Sequence, residues 1–329
     1  MDKKAYLHNI FNIKSQTEFE TLCFQAFDFQ YSNNPVYRKY VDLCNIDTQN
    51  IKTLQDIPFL PIEFFKNHRI ISSNKKEQIV FLSSGTTGSI QSKHYVVDLD
   101  IYRQSFLKGF ELFYGNIRDF VVLALLPSYL ERKGSSLIFM VEELIRQTQS
   151  KHSGFYLYNH DELLEKLDFL QSLNKKILLI GVSYALLDLP PLKRKAFKNI
   201  LIMETGGMKG RRKEMTKKEL HTALCEKFGL NEIHSEYGMT ELLSQAYSKG
   251  GGIFKSPPWM KILIRDTYDP FTYLPIGRSG GINVIDLANI YSCPFIETKD
   301  IGKLQSDNSF EVLGRFDNSD IRGCNLLVN

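Results

Sequence analysis

The stretch Phe120-Val121-Val122-Leu123-Ala124-Leu125-Leu126 contains no polar residue, and Lys176-Ile177-Leu178-Leu179-Ile180-Gly181-Val182 repeats the pattern further along. Runs of this length without polar alternation read as strands covered on both faces, the situation of parallel strands packed between helices. Around them, amphipathic and apolar segments alternate. Helices are predicted over 136–147 and 162–173, a strand over 155–158, a proline-broken helical piece from Leu192, a strand over 199–203, a helix over 217–228 and a strand over 232–234. The series predicts an α/β fold with a mainly parallel sheet covered by helices on both faces.

Upstream, Ser15 with Glu18 forms a capping box, and Phe19, Leu22, Cys23, Ala26 and Phe27 share one helical face. Asn33-Asn34-Pro35 breaks that helix before Tyr37, Tyr40, Val41 and Cys44 resume the stripe, so the N-terminal segment is helical. Ile57-Pro58-Phe59-Leu60-Pro61 then runs extended, as residues preceding proline do. Beyond Gly250 the pattern changes to short strands with tight turns, over 260–265, 281–287, 295–298 and 310–313. The expected division is an α/β core over 1–249 and a smaller β-rich C-terminal subdomain over 250–329.

Composition narrows the function classes. The 329 residues carry a net charge of +4 with both signs interspersed, so no basic stripe announces a nucleic-acid partner. Cys23, Cys44, Cys225, Cys293 and Cys324 lie far apart without metal-ligand spacing, and the opening Met1-Asp2-Lys3-Lys4 is followed by no apolar stretch. No run reaches the roughly 18 apolar residues of a membrane helix. These features predict a cytoplasmic protein with reduced thiols and no membrane span.

The candidate site begins at Phe81-Leu82-Ser83-Ser84-Gly85-Thr86-Thr87-Gly88, a strand over 78–82 running into hydroxyls and glycines. Such a loop offers backbone N–H groups and hydroxyls to phosphate, although Ser/Thr/Gly clusters are also ordinary turns. It is not a Walker loop, because Ser89-Ile90-Gln91 follow Gly88 and the nearest cation is Lys93.

Ligands of open α/β sheets bind where loops leave the carboxyl ends of strands. Two loops qualify, Met203-Glu204-Thr205-Gly206-Gly207-Met208 and Ser235-Glu236-Tyr237-Gly238-Met239-Thr240-Glu241. Gly206 and Gly207 permit a turn or the close approach of a flat purine. Tyr237 offers a ring to stack, Thr240 a hydroxyl for phosphate and Glu241 a hard oxygen for Mg2+, while Thr240-Glu241 also suits a helix N-terminus. His234 reads as a buried strand-end histidine. Asp300, after a strand, can accept both hydrogen bonds of a ribose diol, and Arg315 can meet phosphate or ribose; both also fit ordinary surface and turn positions.

Ser83 to Gly88, Tyr237 to Glu241, Thr298-Lys299-Asp300 and Gly314-Arg315 occur in the order found in acyl-adenylate-forming enzymes, a superfamily that includes phenylacetate-CoA ligases. Within it the wording resembles the LuxE-type acyl-protein synthetases, the fatty-acid-activating component of bacterial luminescence reductase complexes. Ile57 to Pro61, Glu204 to Gly210 and Arg322-Gly323-Cys324 carry the closer likeness, which covers nearly the whole chain. The resemblance implies that ATP and Mg2+ convert a carboxylic acid to acyl-AMP, whose acyl group passes to a thiol. It implies that Ser83, Ser84, Gly85, Thr86, Thr87 and Gly88 hold the leaving phosphates and that Gly206, Gly207 and Tyr237 flank adenine. Thr240 would touch phosphate, Glu241 would hold Mg2+, Asp300 and Arg315 would grip the ribose, and Ser183 and Tyr184 would border the acid.

Two departures bear on mechanism. The wider superfamily continues past the Gly-Arg motif into a mobile domain bearing a catalytic lysine, whereas this sequence ends at Asn329; Lys93, Lys209, Arg211 or a partner would have to substitute. Cys324 near the end is suited to accept the acyl group as a thiolate beside Arg322, or to pack as a small hydrophobe. Cys324 acting as acceptor would hand the group to a reductase or carrier protein. The rival readings are an acyl- or aryl-CoA ligase, for which Cys324 is dispensable, and a nucleotide-binding module with little activity.

Overall fold

The computed structural model describes residues 3–84, 90–127, 134–173, 175–191, 199–207 and 215–316. The chain opens with helices α1 (Lys3–Ile10), α2 (Gln16–Asn33) and α3 (Pro35–Leu43). Ser15 Oγ accepts the Glu18 N–H at 3.2 Å, while the Glu18 carboxylate reaches back to the Lys14 N–H at 2.7 Å. Asn34 ends α2 and caps α3, its side chain accepting the Tyr37 N–H ahead of Pro35 at the first helical position. The stripe of Phe19, Leu22, Cys23, Ala26 and Phe27 is buried as the spacing predicts.

The extended run over 57–61 delivers β1 (Leu60–Pro61), and α4 (Phe64–Asn67) follows. Next, β2 (Ile79–Leu82) pairs antiparallel with β3 (Lys93–Val96) in a two-stranded sheet of their own, so the glycine loop is the connection of a hairpin. Strands and helices then alternate: α5 (Leu99–Tyr114), β4 (Phe120–Leu125), α6 (Ser136–Thr148), β5 (Gly154–Tyr156), α7 (His160–Ser172), β6 (Lys176–Val182), α8 (Ser183–Asp188), β7 (Ile200–Thr205), α9 (Lys217–Phe228) and β8 (His234–Tyr237). Six strands close the described chain: β9 (Ala246–Ser248), β10 (Ile253–Lys255), β11 (Met260–Arg265), β12 (Ser279–Asp286), β13 (Phe295–Leu304) and β14 (Phe310–Arg315).

The main sheet runs β11-β12-β13-β14-β10-β9-β8-β7-β6-β4-β5, with β1 added parallel to β13. Pairing is parallel from β5 through β8 and antiparallel from β8 to β11. Every residue of β4 is buried, which accounts for its unbroken apolar run. Each such Leu or Ile contributes about 1.5–3 kcal/mol by leaving water. Among the described residues no helix is long and apolar enough to cross a membrane.

Several boundaries differ from the sequence expectation, and those of β8, β13 and β14 bear on the site. Strand β8 starts where one was predicted to end, because Ser235, Glu236 and Tyr237 pair with Ser248, Tyr247 and Ala246. β13 continues past Thr298 and β14 past Leu313, because the two pair with each other and place Asp300 opposite Arg315. Asp300 therefore lies within a strand. The helical piece predicted from Leu192 falls mainly outside the described residues.

Candidate active site

Ser83 and Ser92 close the neck of the glycine loop. The Ser83 N–H donates to the Ser92 carbonyl at 3.1 Å, the Ser92 N–H donates to Ser83 Oγ at 2.8 Å, and Gln91 Nε2 donates to the Ser83 carbonyl at 2.7 Å. Gly85, Thr86, Thr87 and Gly88 lie outside the described residues, as do Lys209, Arg211 and Cys324; Ser84 precedes the gap and Lys93 is exposed beyond it.

The strand period of two sorts the residues at the carboxyl ends of β7 and β8 onto two faces. Glu204 is registered with Ser235, and Tyr237 with Ala246, on one face; Glu236 and Tyr247 share the other. On the first face the Tyr237 hydroxyl donates to Asp300 Oδ2 at 2.9 Å, and Arg315 Nε stands 4.0 Å from Asp300 Oδ1. Phe254 and Phe310 hold the Tyr237 ring edge-on, with centroids 5.9 and 5.6 Å away. Burial pushes the Asp300 carboxyl up, against the opposing pull of Arg315 and the Tyr237 hydrogen bond. A tyrosine ring, a carboxylate and a guanidinium thus converge from β8, β13 and β14.

Gly206 leaves β7 at φ 68°, a conformation that favours glycine, and Gly207 follows it. The loop is anchored from beneath. Ser183 Oγ donates to Glu204 Oε2 at 2.9 Å and lies 3.3 Å from the Gly206 carbonyl. Glu204 is fully buried, with Lys217 Nζ on its Oε1 and His221 Nε2 at 3.6 Å. Burial alone would raise this carboxyl, but Lys217 and the surrounding donors outweigh it and hold it at about 2. Ser183 is therefore committed to this network, and Tyr184 beside it is buried.

Glu241 is 5 % exposed; burial pushes its carboxyl up, and a hydrogen bond from Ser92 at the loop neck opposes that shift. Its backbone is fixed as well, since Asn289 Nδ2 donates to the Glu241 carbonyl at 2.8 Å. The neighbouring Thr240 is half-buried, and its carbonyl accepts from Nδ1 of the fully buried His94 at 2.8 Å. Burial keeps the His94 imidazole down at about 4, so it is neutral. Sequence reasoning passed over Ser92, His94 and Asn289; the one local signal was the position of Ser92 and His94 immediately after the glycine loop. His234 opens β8 with its imidazole also held at about 4 by burial, consistent with a strand-end histidine.

Among the described residues there is no cluster of three or more His, Cys, Asp or Glu suited to a metal. A single buried carboxylate such as Glu241 still fits Mg2+, which takes one or two protein carboxylates and completes its octahedron with phosphate oxygens and water.

Known proteins share parts of this chain. A long-chain-fatty-acid–luciferin-component ligase from Photorhabdus luminescens is 38% identical over 68 residues, which is 20% of this chain and 58% of that relative. A 2-hydroxyisobutyryl-CoA ligase in its postadenylation state has a TM-score of 0.66 at 12% identity, covering 95% of this chain and 68% of that one. ATP-bound MatB from Rhodopseudomonas palustris has a TM-score of 0.55 at 18% identity over 72% of this chain, which spans 47% of that structure. At these identities the structural likeness bears on the α/β fold alone. The acyl-protein synthetase LuxE model matches residues 11–329, and the chain belongs to that family.

Proposed function

We propose that the protein activates a carboxylic acid with ATP, giving an acyl adenylate and pyrophosphate, and then transfers the acyl group to a thiol. The observation that carries this reading is the Tyr237–Asp300 hydrogen bond, which unites two motifs 63 residues apart beside Arg315. A planar ring next to a carboxylate that accepts from hydroxyls is what adenosine requires.

In this arrangement Tyr237 and the Gly206–Gly207 backbone bracket the base, and Asp300 accepts from the ribose diol with Arg315 beside it. A carboxylate oxygen of the acid attacks the α-phosphorus as the bond to the pyrophosphate oxygen breaks. The glycine loop, Ser83 to Gly88, receives the departing phosphates, with Thr240 on the same side. Glu241 would hold Mg2+, which would supply charge neutralisation at the phosphate oxygens. The chain's contribution is positioning and fixed dipoles, consistent with a site that has no nucleophile–base dyad among its described members.

The second half-reaction exchanges phosphate for sulfur. A thiolate attacks the acyl carbonyl and AMP leaves with the bonding pair, forming a thioester. Family membership favours Cys324 as that thiol and a protein as the final acceptor, and the Photorhabdus relative's name favours a fatty acid.

The test is acid-dependent ATP–pyrophosphate exchange together with intact-protein mass, on the native chain and Cys324→Ala. Exchange in both, with a hydroxylamine-labile adduct only on the native chain, supports the whole scheme. Exchange without an adduct until coenzyme A is added replaces Cys324 with that acceptor. No exchange with any acid removes the proposal.

A further inference from the structure

The second face at the ends of β7 and β8 carries polar groups that the scheme above leaves unused. Glu236 is 7 % exposed and Gln245 is 5 % exposed. Gly238, just past the end of β8, lies against the side chains of Glu236 and Gln245. A Cβ built on Gly238 would lie 2.4 Å from Glu236 Oε1 and 3.3 Å from Gln245 Cγ, so the glycine leaves room for both side chains to meet. Thr205, which directly precedes Gly206, donates its hydroxyl to Glu236 Oε2.

The hydrogen-bond inventory of this corner is lopsided. Gln245 Oε1 is buried without a hydrogen-bond partner among the described residues. Thr205 has already given its only side-chain proton to Glu236. The nearby Tyr102 and Tyr114 hydroxyls face the Ser136 carbonyl and His234 Nδ1 instead. Gln245 Oε1 is thus a buried acceptor left open in this corner, beside the Glu236 carboxyl group. A buried acceptor left unpaired is unfavourable, and a plain alkyl chain laid here would leave it so.

The nucleotide, on the proposed reading, occupies the Tyr237 face. The acid must meet the α-phosphate at the ends of the same strands, which leaves it the Thr205–Glu236 side. We infer that Thr205, Glu236 and Gln245 form the specificity end of the acid site and select a carboxylic acid bearing a hydrogen-bond donor, a hydroxyl or an amine, over an unsubstituted fatty acid. This inference rests on the adenylation reading and adds the substrate class.

The experiment is pyrophosphate exchange with matched sets of short- to long-chain acids, each unsubstituted, hydroxylated or aminated along the chain. The native protein should prefer one substituted series by about 10-fold or more in kcat/KM, since a site built to pair a substrate donor rejects the analogue lacking it. The hydroxyl and amine arms identify which donor is read. Glu236→Gln and Gln245→Leu, each checked for a cooperative unfolding transition, should each reduce that preference. Equal or better use of unsubstituted acids by the native protein overturns the inference while leaving adenylation intact, whatever the variants do. Exchange with none of the acids overturns adenylation, and the substrate class with it.

Discussion

Lys217→Met tests the anchor beneath the Gly206 loop. Methionine retains much of the apolar stem and removes the ammonium from Glu204, whose side chain is 0% exposed while that of Lys217 is 27% exposed. Breaking a buried ion pair by removing one partner costs about 3–5 kcal/mol. Contacts with Ser183 Oγ at 2.9 Å, His221 Nε2 at 3.6 Å and the Ser235 hydroxyl remain, and the lysine is partly solvated, so the expected loss near neutral pH is about 2–4 kcal/mol. The pH dependence supplies the sign. In the native protein the Glu204 carboxyl, at about 2, lies below its ordinary 4.5, so its contribution is present above 4.5 and is lost as pH falls towards 2. Without Lys217, burial prevails and the folded value rises above the unfolded one. The penalty is then largest near neutrality and shrinks as pH falls through the raised value and Glu204 protonates. Urea unfolding over a pH series, on native and variant chains, reads this directly. A penalty under about 0.5 kcal/mol, or one that does not change with pH, would refute the reasoning. Adding Glu204→Gln to Lys217→Met should recover much of the loss, because no buried charge is then left unpaired.

Tyr237→Phe removes the donor to Asp300, a hydrogen bond worth about 1.5–3 kcal/mol when the acceptor is charged. Its expected mark is a KM for ATP raised about 10-fold with the KM for the acid little changed, read from initial rates. Glu241→Gln should abolish Mg2+-dependent pyrophosphate exchange yet raise the urea midpoint at neutral pH, since burial disfavours the ionised carboxyl it replaces. Burial pushes Glu236 to about 7 and Asp286 to about 6, so both add stability at low pH that disappears as pH rises through those values. Unfolding midpoints should accordingly fall between weakly acid and neutral pH, and Glu236→Gln should flatten the upper part of that decline.

The parallel half of the sheet was legible because burial on both faces erases polar alternation, as in Phe120 to Leu125 and Ile177 to Val182. Strand β8 was placed too early for the opposite reason. His234, Ser235 and Glu236 are polar, and they form a strand at the centre of the sheet because neighbours on both sides satisfy them. The same holds for Asp300 and Arg315, whose strands extend because each supplies the other's ladder. The motif residues were visible one by one, but the contact between Tyr237 and Asp300 exists only once β8 and β13 are assembled. Asn289 and Gln245 carried no local signal and His94 only its place after the glycine loop, since their roles come from groups far away in the chain: His94 holds the Thr240 carbonyl and Asn289 the Glu241 carbonyl.

The sheet order also governs when this protein can become competent during synthesis. β14, the last described strand, does not sit at an edge; it is wedged between β13 and β10 and joins the two halves of the sheet. Until its residues leave the ribosome, the strand carrying Tyr237 and the strand carrying Asp300 lack their common bridge. A chain interrupted before Phe310 would retain the parallel strands and all of the glycine loop, yet expose two unpaired strand edges in place of a nucleotide site. On the adenylation reading, incomplete chains should thus be both inert and readily recognised by chaperones or proteases, and ATP consumption would wait for the last described strand.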